Sequence, residues 1–125
     1  MLKTGLSYKS ELIVSDDNTA MAMGSGDLPV LATPAMIALM ENAAMKAVVN
    51  VLPEGSTTVG GKIEASHLAP SSLGKKVYAT ATLEKMDGRK LYFHVEAFES
   101  ENQIQIGEGS HLRFIVDRER FISKL

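Results

Sequence analysis

The chain has 125 residues, 45% apolar and 22% charged, with a net charge of −2 and no cysteine. That length suits a single domain, residues 1–125, with a core of its own, and the near-neutral charge gives no electrostatic reason to expect nucleic acid as a partner. Without cysteine there is no disulfide framework, thiolate metal site or cysteine nucleophile. No stretch reaches the roughly 18 apolar residues of a membrane span, and residues 1–10 lack a secretory h-region, so a cytoplasmic protein is expected.

Leu6–Val14 predicts a first strand, ended by the polar cluster Ser15-Asp16-Asp17-Asn18. Met21–Met23 is expected to be a short extended piece. Thr33-Pro34 opens the one convincing helix, with Thr33 read as the N-cap and Pro34 as the first helical residue. This helix is expected to reach Asn50, where Pro53-Glu54-Gly55 stops it. Its interior is apolar on most faces, which predicts burial, and Asn42, Lys46 and Asn50 form a single polar stripe. Beyond it the period changes to two. Val59, Gly61, Ile63, Ala65, His67 and Ala69 share one face; Val77–Leu83, Leu91–Ala97 and Leu112–Val116 repeat the alternation, with Ile104 and Ile106 added. Asp87-Gly88 marks a hairpin, and Gly107 and Gly109 a bulge or tight bend.

Strand, helix and four strands joined by short turns predict an α+β protein, an antiparallel sheet wrapped around one central helix. That is the hot-dog arrangement, and its thin core leads one to expect a dimer through the sheet edge.

Glu41 is the first candidate for chemistry. It lies about 100° from Asn42 on the helix, off the polar stripe, and no Lys or Arg stands three or four residues away to pair with it. A lone buried carboxylate is costly, so either it faces water or a partner chain at the stripe's edge, or it has a function. His67 is the second candidate: alternation places it on the apolar face, and places His94 and His111 outward. An inward histidine is also compatible with a hydrogen-bonded core residue. N-capping alone accounts for Thr33, yet a helix N-terminus also suits a developing oxyanion. Gly60-Gly61 is read as a bulge or a place where a ligand approaches the backbone. Lys75-Lys76 and Arg118-Arg120 are read as solvated faces with a secondary option on phosphate. No metal-ligand spacing or Gly-rich phosphate loop is present. Eight helical positions separate Thr33 from Glu41, about 12 Å, so a site using both requires a long substrate or a second subunit.

The run Leu31-Ala32-Thr33-Pro34-Ala35-Met36-Ile37-Ala38-Leu39-Met40-Glu41, Gly60-Gly61, and Ser66-His67 followed by Leu73-Gly74 resemble the hot-dog thioesterases related to fluoroacetyl-CoA thioesterase, from about Leu31 to Phe121. The resemblance implies hydrolysis of an acyl-CoA thioester at a dimer interface. Coenzyme A would be part of the substrate and no further cofactor or metal would be needed. It assigns Thr33, Glu41 and His67 to catalysis and Gly60, with Gly61, to substrate binding. Glu41 would be base or nucleophile, Thr33 would position the thioester, and His67 would orient Glu41 or shuttle a proton. Gly24-Ser25-Gly26-Asp27-Leu28 lacks the aromatic residues of the fluoroacetyl-selective lid, so a different short acyl group is expected. The readings weighed against hydrolysis are a non-catalytic acyl-CoA or small-ligand module and a hot-dog hydratase or dehydratase. The latter would use an Asp/His pair, and no Asp neighbours His67 in sequence.

Overall fold

A computed structural model describes residues 1–125. The elements in chain order are β1 (Ser7–Ile13), α1 (Ala20–Met23), α2 (Thr33–Val48), a 3-10 turn (Val49–Val51), β2 (Ser56–His67), β3 (Lys76–Asp87), β4 (Lys90–Glu99), β5 (Ile104–Asp117) and α3 (Arg118–Ser123). The five strands form one antiparallel sheet in the order β1-β3-β4-β5-β2. Its concave face holds α2, as the hot-dog expectation requires. No helix is long and apolar enough to cross a membrane.

The core follows from two periodicities meeting. Met36, Met40, Ala43, Ala44 and Val48 recur at helical spacing on α2 and are fully buried. They pack on Val77, Ala79, Ala81 and Leu83 of β3 and on Leu91, Phe93, Val95 and Ala97 of β4, every second residue of each strand. Between those strands Gly88 takes φ +60° at the first position of a two-residue loop, where a II′ hairpin needs glycine. The small residues on β3 let the helix lie close. Gly107 on β5 does the same: a Cβ there would stand 2.5 Å from Met36 Sδ and 3.0 Å from Met40 Cε.

Four local expectations are corrected. Thr33 is not the N-cap: Ala32 holds the extended cap conformation, and its carbonyl accepts the N–H of Ala35 at 3.0 Å and of Met36 at 3.1 Å. Thr33 is thus the first helical residue and its hydroxyl is free for other work. Met21–Met23 belongs to a helical turn rather than an extended piece, because Thr19 Oγ1 accepts the Ala22 N–H at 3.1 Å and caps it. Arg118-Arg120, read as a solvated face with a secondary option on phosphate, opens a short helix, Arg118–Ser123, capped by Asp117, which accepts the Arg120 N–H at 2.9 Å.

The fourth correction concerns facing. Gly60 pairs with Arg113 and Lys62 with Leu112, so Gly61 is an extra residue in β2. A bulge of this kind reverses the in–out alternation beyond it. Thr58 and Gly60 therefore face α2 before the bulge, and Ile63, Ala65 and His67 after it, while Gly61 lies under the Phe114 ring. In the C-terminal half of β5, His111, 3% exposed, and Arg113 are the buried residues; Leu112 and Phe114 lie on the other face. His111 does not point outward.

Candidate active site

Thr33 Oγ1 lies 2.7 Å from His67 Nδ1. The first turn of α2 supplies the hydroxyl and the last residue of the edge strand β2 supplies the ring. Burial pushes the His67 pKa below its ordinary value, opposed by the nearby Ala69 backbone. A neutral imidazole has one N–H and one lone pair, so the Thr33 hydroxyl can donate to Nδ1 and leave the proton on Nε2. That Nε2 is buried and has no partner within the chain.

Glu41 is two helical turns further on and does not meet His67. It is half-buried and faces β2 and β5, on the side of α2 away from Asn42, which accepts a 2.7 Å hydrogen bond from Ser10 Oγ of β1. The Glu41 side chain makes no ion pair or hydrogen bond within the chain, as its helical neighbours lead one to expect, and the charge that reaches it through space is Arg113 of the sheet. Above Gly60 three groups converge: a Cβ built there would stand 3.0 Å from Glu41 Oε2, 3.5 Å from Arg113 Nη1 and 3.5 Å from His111 Cε1. Glycine at position 60 leaves that point open. Ala38, Glu41, Asn42, Met45 and Arg113 line a cleft of about 300 Å³ beside it.

Arg113 is 8% exposed and well anchored. Its Nε donates to Thr58 Oγ1 at 2.8 Å and its Nη2 to the Thr58 carbonyl at 3.1 Å. Its Nη1 lies 3.1 Å from His111 Nε2, and His111 Nδ1 lies 2.8 Å from the Lys62 carbonyl. A carbonyl only accepts, so Nδ1 carries the proton and Nε2 accepts from the guanidinium. His111 is therefore held neutral. Burial lowers its pKa, the Lys62 hydrogen bond raises it, Arg113 lowers it and Glu41 raises it. Burial also lowers the Arg113 pKa, and Glu41 raises it. The carboxylate acts as the counter-charge of a buried guanidinium. Neither His111 nor Arg113 was singled out from the sequence; Gly107 and Gly109, at the same strand parity, are the signal that marks this as the helix-facing side of β5.

The two clusters open along one strand edge. Ile37 lies midway between Thr33 and Glu41 on α2, and Ile63 and Ala65 lie between Gly60 and His67 on β2; all three line a groove of about 780 Å³. Gly61 is not part of it, since the Phe114 ring occupies its side-chain space on the opposite face. A third cluster, His94, Glu96 and Glu108, brings ligand-type atoms within 4.8 Å of one another, and His94 and Glu108 also line the groove.

A family model for fluoroacetyl-CoA-specific thioesterase matches residues 14–119. The chain belongs to the fluoroacetyl-CoA-specific thioesterase family. It is 34% identical over 96 residues to the fluoroacetyl-CoA thioesterase of Streptantibioticus cattleyicolor, covering 77% of this chain and 68% of that protein. A variant of a fluoroacetyl-CoA thioesterase crystallised with acetyl-CoA superimposes with a TM-score of 0.90 at 27% identity, over 98% of this chain and 96% of that one. A thioesterase superfamily member from Thermus thermophilus gives 0.90 at 30% identity, over 99% and 90%. A hot-dog-like protein from Thermanaerovibrio acidaminovorans shares the fold, with a TM-score of 0.86 at 23% identity, over 98% and 90%. Membership of the family makes the chain a thioester hydrolase on a hot-dog fold.

Proposed function

We propose that the chain hydrolyses a short acyl-CoA thioester to the free acid and coenzyme A at a site shared between two copies. One copy contributes Glu41 and Gly60, the other Thr33 and His67. The observation that carries this is the 2.7 Å Thr33–His67 contact, placed eight helical positions from a Glu41 that has no route to it within one chain.

The symmetry supports the sharing. β2 is a free sheet edge. A two-fold axis near Ile63 and Ile37, the midpoints of the two spacings, pairs two β2 strands antiparallel and sets each Thr33–His67 pair against the other copy's Glu41–Gly60. The apolar groove floor is then covered as well.

In that site the thioester carbonyl sits over Gly60, where no side chain obstructs it. Glu41 acts as base for water or as nucleophile on the carbonyl carbon. The N-terminus of α2, with the Thr33 backbone N–H, positions the thioester and stabilises the oxyanion, while the Thr33 hydroxyl holds the His67 ring. His67 passes a proton to the departing thiolate. Arg113, held by Thr58 and His111, faces Glu41 from the sheet and helps to aim it. The segment 24–28 carries no aromatic side chain, which favours a short acyl group other than fluoroacetyl. Free-thiol release from a panel of acyl-CoAs tests this reading. Turnover of a short-chain member that Glu41→Gln reduces by about 10²-fold or more supports it; binding without thiol release by the unaltered protein makes the chain a ligand-binding module instead.

A further inference from the structure

Seven of the 13 basic side chains have a partner within the chain. Lys62, Lys75 and Lys76 are in ion pairs. Lys9, Lys46 and Lys85 lie over tyrosine rings, and Arg113 is bound to Thr58 and His111. Six cations remain, and all but Lys3 gather at one end of the sheet: Arg89 and Lys90 at the β3–β4 turn, and Arg118, Arg120 and Lys124 in and beside α3.

Three of them line a concave surface. Arg89, Arg120 and Lys124 surround a cleft of about 450 Å³ whose floor is Ser56, Ile115, Val116 and Phe121, with Asp117 its one acid. Asp117 is already engaged in capping α3. The frame is tied in place: the Arg89 carbonyl accepts the Ile115 N–H at 2.9 Å, and the Arg118 N–H donates to the Gly55 carbonyl at 2.9 Å. Three cations around a cleft on a fixed backbone frame, against the single acid Asp117, are suited to a multiply charged anion. Arginine in particular matches phosphate oxygens two at a time. Ser56 stands four residues from Gly60 along β2, about 13 Å at strand rise, so the cleft lies on the strand that carries the reacting centre.

The geometry points to this cleft as the seat of the phosphates of coenzyme A, with Arg89, Arg120 and Lys124 as their ligands. The assignment rests on the acyl-CoA reading above and deepens it. It makes the nucleotide a source of affinity distinct from the groove that takes the acyl end.

Two measurements test it. Calorimetric titration with coenzyme A, which needs no catalysis, is predicted to show binding that Arg89→Gln/Arg120→Gln/Lys124→Gln weakens about tenfold, while Lys76→Gln, at an ion-paired lysine elsewhere, leaves it unchanged. The preference in kcat/KM for an acyl-CoA over the matching acyl-pantetheine, which lacks the nucleotide, should fall by a similar factor in the triple variant, and the wild-type preference should shrink as salt rises. Unchanged coenzyme A affinity in the triple variant overturns the assignment. So does equal displacement by inorganic phosphate, which would make the cleft a general anion site. A chain that binds coenzyme A through these residues but releases no thiol would refute the hydrolase reading and leave the cleft standing.

Discussion

The Thr33 hydroxyl is spent on His67 and not on its own helix: Oγ1 to Nδ1 is 2.7 Å, while Ala32 provides the cap. Thr33→Val keeps the shape and removes the hydrogen bond, leaving the ring without any partner in the chain. Turnover is predicted to fall about 10–100-fold, with Thr33→Ser retaining most of it. Because N-capping is not at stake, the denaturation midpoint of Thr33→Val should change little; a large loss of stability would mean that Thr33 serves the helix after all.

Adjacent glycines give opposite readouts. In Gly60→Ala the new methyl would meet the far end of Glu41 at 3.0 Å. The carboxylate can swing away, so the fold survives and thiol release drops about tenfold or more. In Gly61→Ala the methyl meets the Phe114 ring on the other face, and the cost falls on stability, about 1–3 kcal/mol by urea unfolding. Kinetics and urea midpoints on both variants check the pair; the reverse pattern would show that Gly61, and not Gly60, faces the substrate.

Arg113→Leu removes three hydrogen bonds and leaves Thr58 and His111 buried without their partner. A destabilisation of about 2–4 kcal/mol is expected in urea. Arg113→Lys keeps the charge but loses the fork to Thr58, so it should recover part of the stability and less of the activity.

Burial holds both His67 and His111 below their ordinary pKa of 6.5. Between that value and the lower folded one, the unfolded chain binds more protons than the folded chain. Their contribution to stability is therefore complete above about pH 6.5 and declines as pH falls through the folded pKa values. Urea midpoints should drop between about pH 7.5 and pH 5, and His111→Asn should flatten part of that slope. A midpoint that rises on acidification would contradict neutral, buried rings.

The periodic elements were legible. β3 and β4 alternate without interruption from Val77 to Leu83 and Leu91 to Ala97, Asp87-Gly88 marks their turn, and the apolar run after Pro34 specifies the one helix. The active-site surroundings were only half legible, for two physical reasons. Gly61 adds a residue to β2, and one extra residue inverts every facing inferred across it, so Val59 and Gly61 pass for the inner face when Thr58 and Gly60 occupy it. On β5 the apolar Leu112, Phe114 and Val116 pass for the inner face, when Gly107, Gly109, His111 and Arg113 occupy it. Glu41 is unpaired, as its helical neighbours imply, but the guanidinium that acts on it through space comes from a strand 72 positions away, which no helical spacing reports. The separation of Glu41 from His67 within one chain was legible only as the eight-residue spacing from Thr33.

Mixing two inactive variants tests the shared site most directly. Thr33→Val/His67→Ala and Glu41→Gln each damage one half of it. Unfolded and refolded together in equal amounts, half of the dimers would pair the two variants, and each of these would hold one intact site, so activity should return to about a quarter of wild type. Thiol release that stays at the level of the separate variants, while the mixed dimer is shown to form, would contradict a site built from Glu41 of one copy and Thr33 and His67 of the other.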